Sequence, residues 1–281
     1  MEWTAMEINP EMLNKMMNKL GVGESWRFVD VLGLEGDQLS AVPKPCCALM
    51  LLFPLTQQHE SFRAQQADKV SGGSEVYFLK QTIVNSCGTI ALLHAVANNK
   101  GKLSFGNDSA LKKFLDDTAN MSPDDRAKQL EKNQAICEAH NEVAVQGQCR
   151  PEADKVNFHF IAFVNVDGQL YEFDGRMNGA VKHGVTKADS FITFPLSKML
   201  PECVVDLWKG SMGKSVSLRL PFVRVRYSTG HQIKPIVNQN VLEHPHDKHN
   251  QQAPRAACLH THLQTLCTIK HILFPHIALI S

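Results

Sequence analysis

From Cys87 to Ala97 the chain offers water almost nothing: Ile90, Ala91, Leu92, Leu93, Ala95 and Val96 run on with no breaker before Asn98. A helix this apolar is stable only inside a fold, so the stretch predicts a buried helix with other layers packed around it. It follows a strand-like run at residues 76–79 and the polar pair Asn85-Ser86, which places Cys87 where a turn becomes a helix. Unpaired N–H groups and the positive end of the helix dipole favour the thiolate there, and the thiolate is the nucleophilic form. Gly88 leaves room for close backbone approach. Gln81, upstream in the same stretch, is placed to offer a side-chain amide to a developing oxyanion beside the Cys87 N–H.

A second pattern adds a base. Residues 156–166 alternate apolar and polar, Asp167-Gly168 is a two-residue hairpin turn, and residues 169–174 return as the partner strand. A regular hairpin then sets Ile161 opposite Asp174. His159 shares the face of Ile161 and becomes the diagonal neighbour of Asp174, with Cα atoms roughly 7–8 Å apart. Cysteine, histidine and an orienting carboxylate make a nucleophilic constellation. His94 and His140 on helices and His183 in a loop read as structural or solvated, and His59 has no assigned role.

The 281 residues suit one large domain with an ample core. The net charge of +1 hides an asymmetry: residues 1–192 carry 19 basic against 24 acidic side chains, residues 193–281 carry 10 against 4. An acidic body argues against nucleic acid and suits a basic protein partner. The 8 cysteines form no metal-type CxxC pair, and no secretory signal opens the sequence. The longest apolar run, residues 46–55, contains Pro54 and is too short to span a bilayer. A reduced, cytoplasmic protein with no metal and no cofactor is the expectation.

Along the chain, Asn9, Pro10 and Glu11 open a helix whose apolar face is Leu13, Met16, Met17 and Leu20, and Gly21 ends it. Residues 26–32 and 46–53 read as strands, the second buried on both faces. Residues 59–67 suggest a short polar helix and Gly72-Gly73 a turn. Residues 109–121 are amphipathic, and Ser122-Pro123-Asp124-Asp125 opens a longer helix towards Val143, with the charges from Arg126 to Lys132 on a solvated face. Residues 146–154 are a loop.

The string Gln81, three residues, Asn85-Ser86-Cys87-Gly88, three residues, then Leu92-Leu93-His94-Ala95 resembles the active-site signature of the ubiquitin C-terminal hydrolases. Asn157-Phe158-His159-Phe160 and Tyr171-Glu172-Phe173-Asp174-Gly175-Arg176 match that family's His and Asp motifs. The resemblance implies an α/β (α+β) papain-like sandwich in one domain, a mainly antiparallel sheet flanked by helices. It implies a deubiquitinating thiol hydrolase that cleaves small adducts or short peptides from the C-terminal glycine of ubiquitin. Cys87 would be the nucleophile, His159 the general acid and base, Asp174 its orienter and Gln81 the oxyanion donor. Ala5, Met6, Glu7, Ile8, Asn9 and Pro10 would touch ubiquitin, and the loop at residues 146–154 would cross over the site and restrict leaving groups. The alternative is a monoubiquitin-binding protein with little turnover.

This likeness is expected over residues 1–192 and fades from Thr193. The tail, residues 193–281, holds 8 of the 13 His and 7 of the 13 Pro and no sustained period, so it is expected to be disordered or non-native. The closing helix and strand of the family are not recognisable in it. Residues 216–227 are the one substitute strand, spoiled by Pro221. His244, His246, Cys258, His260 and His262 have no frame that would make them metal ligands.

Overall fold

The computed structural model describes residues 3–7, 9–31, 42–55, 57–70, 75–147, 158–187, 191 and 276–280. Their centre is one antiparallel sheet of six strands: β1 (Phe28–Asp30), β2 (Ala48–Pro54), β3 (Phe158–Val166), β4 (Gln169–Phe173), β5 (Val181–Val185) and β6 (His276–Ile280). Its spatial order is β1-β6-β2-β3-β4-β5. The helices are α1 (Pro10–Lys19), α2 (Gln57–Gln66), α3 (Cys87–Ala97), α4 (Ala110–Asp117), α5 (Pro123–Glu131) and α6 (Gln134–Ala144).

The apolar helix α3 packs on β3 and β2. Eight of its side chains beyond Gly88, from Thr89 to Val96, are buried. Burying Ile90, Leu92, Leu93 and Val96 contributes roughly 1.5–3 kcal/mol each. Alternation in β2 serves two layers, as read from sequence: Ala48, Met50 and Leu52 join the core cluster that includes α3, while Leu49 and Leu51 are buried outside that cluster. The β3–β4 register pairs Ala162 with Phe173 and Val166 with Gln169 around Asp167 (φ 49°) and Gly168 (φ 78°), the left-handed pair a tight hairpin turn requires. The predicted register is the observed one.

Four local expectations need correction. Residues 76–79 join no sheet, because side chains satisfy their backbone. Asn98 bonds both the Tyr77 amide (2.8 Å) and carbonyl (2.9 Å), and Arg126 Nη1 donates to the Phe78 carbonyl at 2.8 Å. Arg126 is therefore not on a solvated face. It is buried, donates also to Thr118 and Ala119, and lies 4.1 Å from the Tyr77 ring centroid. The helix opening at Ser122 stops at Glu131, because Asn133 caps a new helix by accepting the Ile136 N–H at 2.9 Å. His183 is on strand β5, not in a loop.

The tail brings a fifth correction, the largest. His276–Ile280 pairs antiparallel with β1 through Leu279↔Val29 and with β2 through Leu279↔Leu49 and Ile277↔Leu51. The chain's last residues thus supply an interior strand. Five residues, apolar but for His276, carry too little pattern to stand out in a period-poor tail, and only the two waiting edges reveal the fit. Residues 216–227, Gly72-Gly73, residues 148–154 of the expected crossover loop and the tail histidines from His244 to His262 lie outside the described residues.

Candidate active site

Cys87 is the first residue of α3, and the turn before it is built by Asn85 in the left-handed region (φ 64°). Asn85 tolerates that conformation and its amide donates to the Trp3 carbonyl at 3.1 Å. Ser86 does not cap the helix with its side chain. Its hydroxyl donates to the Ile83 carbonyl at 2.8 Å, so the first-turn amides beside Cys87 receive no side-chain cap from it.

His159 is the second residue of β3 and Asp174 follows the last residue of β4. Both side chains are 3 % exposed, and His159 Nε2 donates to Asp174 Oδ1 at 2.6 Å. The diagonal placement expected of the hairpin becomes a short, charge-assisted bond. Cys87 is close enough to hydrogen-bond the same imidazole. Burial is the largest influence on His159 and pushes its pKa down. The Asp174 charge and hydrogen bond, with Cys87, outweigh it and bring the imidazolium to about 9. Burial likewise pushes Asp174 up, but His159, the Arg176 N–H and the charge of Arg63 hold it at about 2.

Gln81 is held by its backbone, which donates to the Gly175 carbonyl at 2.7 Å. Its Nε2 makes one long bond of 3.4 Å to the Ile83 carbonyl, and its Oε1 is buried without a hydrogen-bond partner. The structure therefore bonds His159 to Asp174 with Cys87 in reach of the same ring, and fastens Gln81 to the turn that follows Asp174.

Sequence reasoning missed that turn. Arg176 N–H donates to Asp174 Oδ1 at 2.8 Å and Met177 N–H to the Asp174 carbonyl at 2.9 Å. The signal was present in Asp174-Gly175-Arg176, a turn-forming trio directly after the strand. Arg176 also pairs with Glu60 on α2 at 2.9 Å, and Glu60 pairs with Arg63.

His94, His140 and His183 hold scaffold contacts. His94 Nε2 lies 3.1 Å from the Leu79 carbonyl and 3.2 Å from its amide, anchoring the segment that leads to Gln81. His140 joins Thr89 of α3 to the Thr4 carbonyl, at 2.8 Å on each side. His183 sits 2.7 Å from the buried Glu172 carboxylate, whose pKa burial raises.

Of the expected ubiquitin-contacting residues, Ala5, Met6, Glu7, Asn9 and Pro10 are half-buried, and Ile8 lies outside the described residues. Met6 packs on the core. Asn9 accepts the Met12 N–H at 2.9 Å as the cap of α1, with Pro10 in the first turn. Among the described residues no group of three His, Cys, Asp or Glu could hold a metal ion, and no helix is long and apolar enough to cross a membrane.

The sequence profile described as "Ubiquitin carboxyl-terminal hydrolase, family 1" matches residues 3–203, some way past Thr193, where the likeness was expected to fade. Ubiquitin carboxyl-terminal hydrolase isozyme L1 of Homo sapiens is 60% identical over 195 residues, 68% of this chain and 87% of that protein. The isozyme of Monodelphis domestica is 58% identical over the same shares. Among solved structures, the Trichinella spiralis UCH37 catalytic domain bound to ubiquitin vinyl methyl ester superimposes with a TM-score of 0.60 at 21% identity. It covers 79% of this chain and 94% of that one, and shows the papain-like fold to be shared. A cysteine at the head of a buried helix and a buried His–Asp pair on a hairpin thus lie in a chain that belongs to the ubiquitin carboxyl-terminal hydrolase family.

Proposed function

We propose that the protein is a cysteine-type hydrolase that releases small adducts or short peptides from the C-terminal glycine of ubiquitin, and that it acts in the cytoplasm. The observation that carries the chemistry is the buried 2.6 Å His159–Asp174 bond with Cys87 in reach of the same ring. An imidazolium held at about 9 by a carboxylate stays protonated at neutral pH and sits beside the sulfur it would pair with. The thiolate of Cys87 attacks the carbonyl carbon of the terminal glycine. The electron pair of the C=O bond moves to oxygen, where the Gln81 amide and the Cys87 N–H receive it. His159 gives its proton to the leaving amine as the C–N bond breaks, leaving a thioester. It then takes a proton from water, the resulting hydroxide attacks the thioester, and Cys87 leaves again as thiolate. Asp174 holds the ring throughout and stabilises its charge whenever the ring is protonated. Met6 and the flanking residues Ala5, Glu7, Ile8, Asn9 and Pro10 form part of the surface that takes ubiquitin.

The test is a ubiquitin amide with a fluorogenic leaving group, together with a ubiquitin probe ending in an electrophile. Turnover that disappears in Cys87→Ala, and labelling confined to Cys87, are the expected results. Binding of ubiquitin without turnover, or labelling that survives Cys87→Ala, overturns the proposal.

A further inference from the structure

The turn after Asp174 touches two parts of the site at once. Its first residue orients His159, and its second, Gly175, accepts the backbone N–H of Gln81 at 2.7 Å. A Cβ at position 175 would stand 2.8 Å from Ile90 Cγ2, 3.0 Å from Gln81 Cβ and 3.5 Å from Gln81 N. Neither near neighbour can give way cheaply. Ile90 is 2 % exposed on α3, one turn past Cys87, and a β-branched side chain in a helix is stiff at χ1. The Gln81 Cβ is fixed to its backbone, so displacing it displaces the whole residue.

We propose that Gly175 is a positioning residue for the oxyanion donor: its missing side chain and its carbonyl together set how closely Gln81 lies against the Asp174 turn and the Cys87 helix. The inference rests on reading Gln81 as the oxyanion donor. The turn itself is the stiffer partner, since Asp174 is held by His159 Nε2, by the Arg176 N–H and through its carbonyl by the Met177 N–H. Gln81 has one strong backbone bond and one long side-chain bond. A methyl group at position 175 therefore shifts Gln81 and leaves the His159–Asp174 pair in place. A misplacement of about 1 Å can cost roughly 10²-fold in rate, so a shift of part of that distance predicts a loss of about tenfold.

The experiment is a double-mutant cycle on the intact chain with the fluorogenic ubiquitin substrate. Gly175→Ala is expected to lower kcat about tenfold with KM within about twofold. The rate and pH profile of Cys87 alkylation by iodoacetamide, which needs no oxyanion donor, should match the parent. Gln81→Ala is expected to lower kcat by about 10²–10³-fold, and adding Gly175→Ala to it should cost almost nothing more. Should Gly175→Ala fail to melt cooperatively, Gly175→Ala/Ile90→Ala removes Ile90 Cγ2, relieves the 2.8 Å clash and keeps the one with Gln81. The same cycle then runs against Ile90→Ala. Unchanged kcat, an altered alkylation profile, or an effect of Gly175→Ala that is undiminished in the Gln81→Ala background overturns the proposal alone. A Gln81→Ala protein with full turnover removes the oxyanion reading and this proposal with it.

Discussion

Asp174→Asn changes charge at the site and little else. Asp174 Oδ1 accepts from His159 Nε2 at 2.6 Å and from the Arg176 N–H at 2.8 Å, and the oxygen of an asparagine can keep both bonds. The electrostatics cannot be kept. Burial, the largest influence on His159, pushes the imidazolium down, and the Asp174 carboxylate is the main reason it nonetheless reaches about 9. With the carboxylate charge gone, only the retained hydrogen bond and Cys87 oppose burial, and His159 falls towards its ordinary 6.5. A fall from about 9 to 6.5 corresponds to roughly 3 kcal/mol at about 1.36 kcal/mol per pH unit. Expressed in the step where His159 must be charged, that is a loss of roughly 10²-fold in kcat. The assay is steady-state cleavage of the fluorogenic ubiquitin amide, with the imidazole titrated by NMR in the same variant. KM should hardly move. A His159 that still titrates near 9 in Asp174→Asn refutes the electrostatic account, and a rise in KM at constant kcat means that Asp174 serves binding instead.

The same pair shapes stability against pH. His159, raised, stabilises the fold fully below 6.5 and loses that contribution as pH climbs through about 9; Asp174, held down, contributes above 3.8 and loses it as pH falls towards about 2. The melting temperature should therefore fall on both flanks, and His159→Ala should flatten them. Identical flanks in the variant sink the idea. A chain ended at residue 275 lacks β6 and bares the facing edges of β1 and β2. Each buried backbone group left unpaired costs about 1–3 kcal/mol, so losing several removes most of a typical net stability of about 5–15 kcal/mol. Differential scanning calorimetry should show no cooperative melt, and a transition matching the full chain is the refuting result.

The legible parts of this protein are those where a local period fixes a long-range geometry. The β3–β4 hairpin is legible because Asp167-Gly168 leaves one register, and that register sets His159 beside Asp174. The α3 helix is legible because its apolar run has one environment available. Residues 76–79 misread as a strand because an extended run gives no hint of where its hydrogen bonds go. Here His94 on α3, Asn98 capping its C-terminal end and Arg126 on α5 take the place of a neighbouring strand. The same three side chains explain why a charge in the run beginning at Arg126 is buried. Strand β6 was hidden for another reason: its slot exists only once β1 and β2 are side by side, a fact about the sheet rather than about residues 276–280. The turn at Gly175 was readable as a turn, but its contact with Gln81 spans more of the chain than any local pattern covers.

Two buried histidines show how the site separates chemistry from scaffolding. His94 and His159 are both almost wholly enclosed, and burial is the largest influence on each, in the same downward direction. His94 ends at about 4 and His159 at about 9. The partner decides the difference. His94 meets the Leu79 backbone and the rings of Phe78 and Phe173, and its Nδ1 is buried without a partner, an arrangement that only a neutral imidazole can occupy at low cost. His159 meets a carboxylate that is itself tied down by the Arg176 N–H. A permanently neutral ring suits the work of His94, because a second imidazolium in that core would repel the one at His159 and disfavour its charge. The neutral ring instead anchors Leu79, two residues before Gln81, so the scaffold histidine and the charged histidine serve opposite ends of one site. Exchanging their protonation states would cost both functions: the Gln81 segment would hang from a desolvated cation, and Cys87 would face a ring with no proton to give.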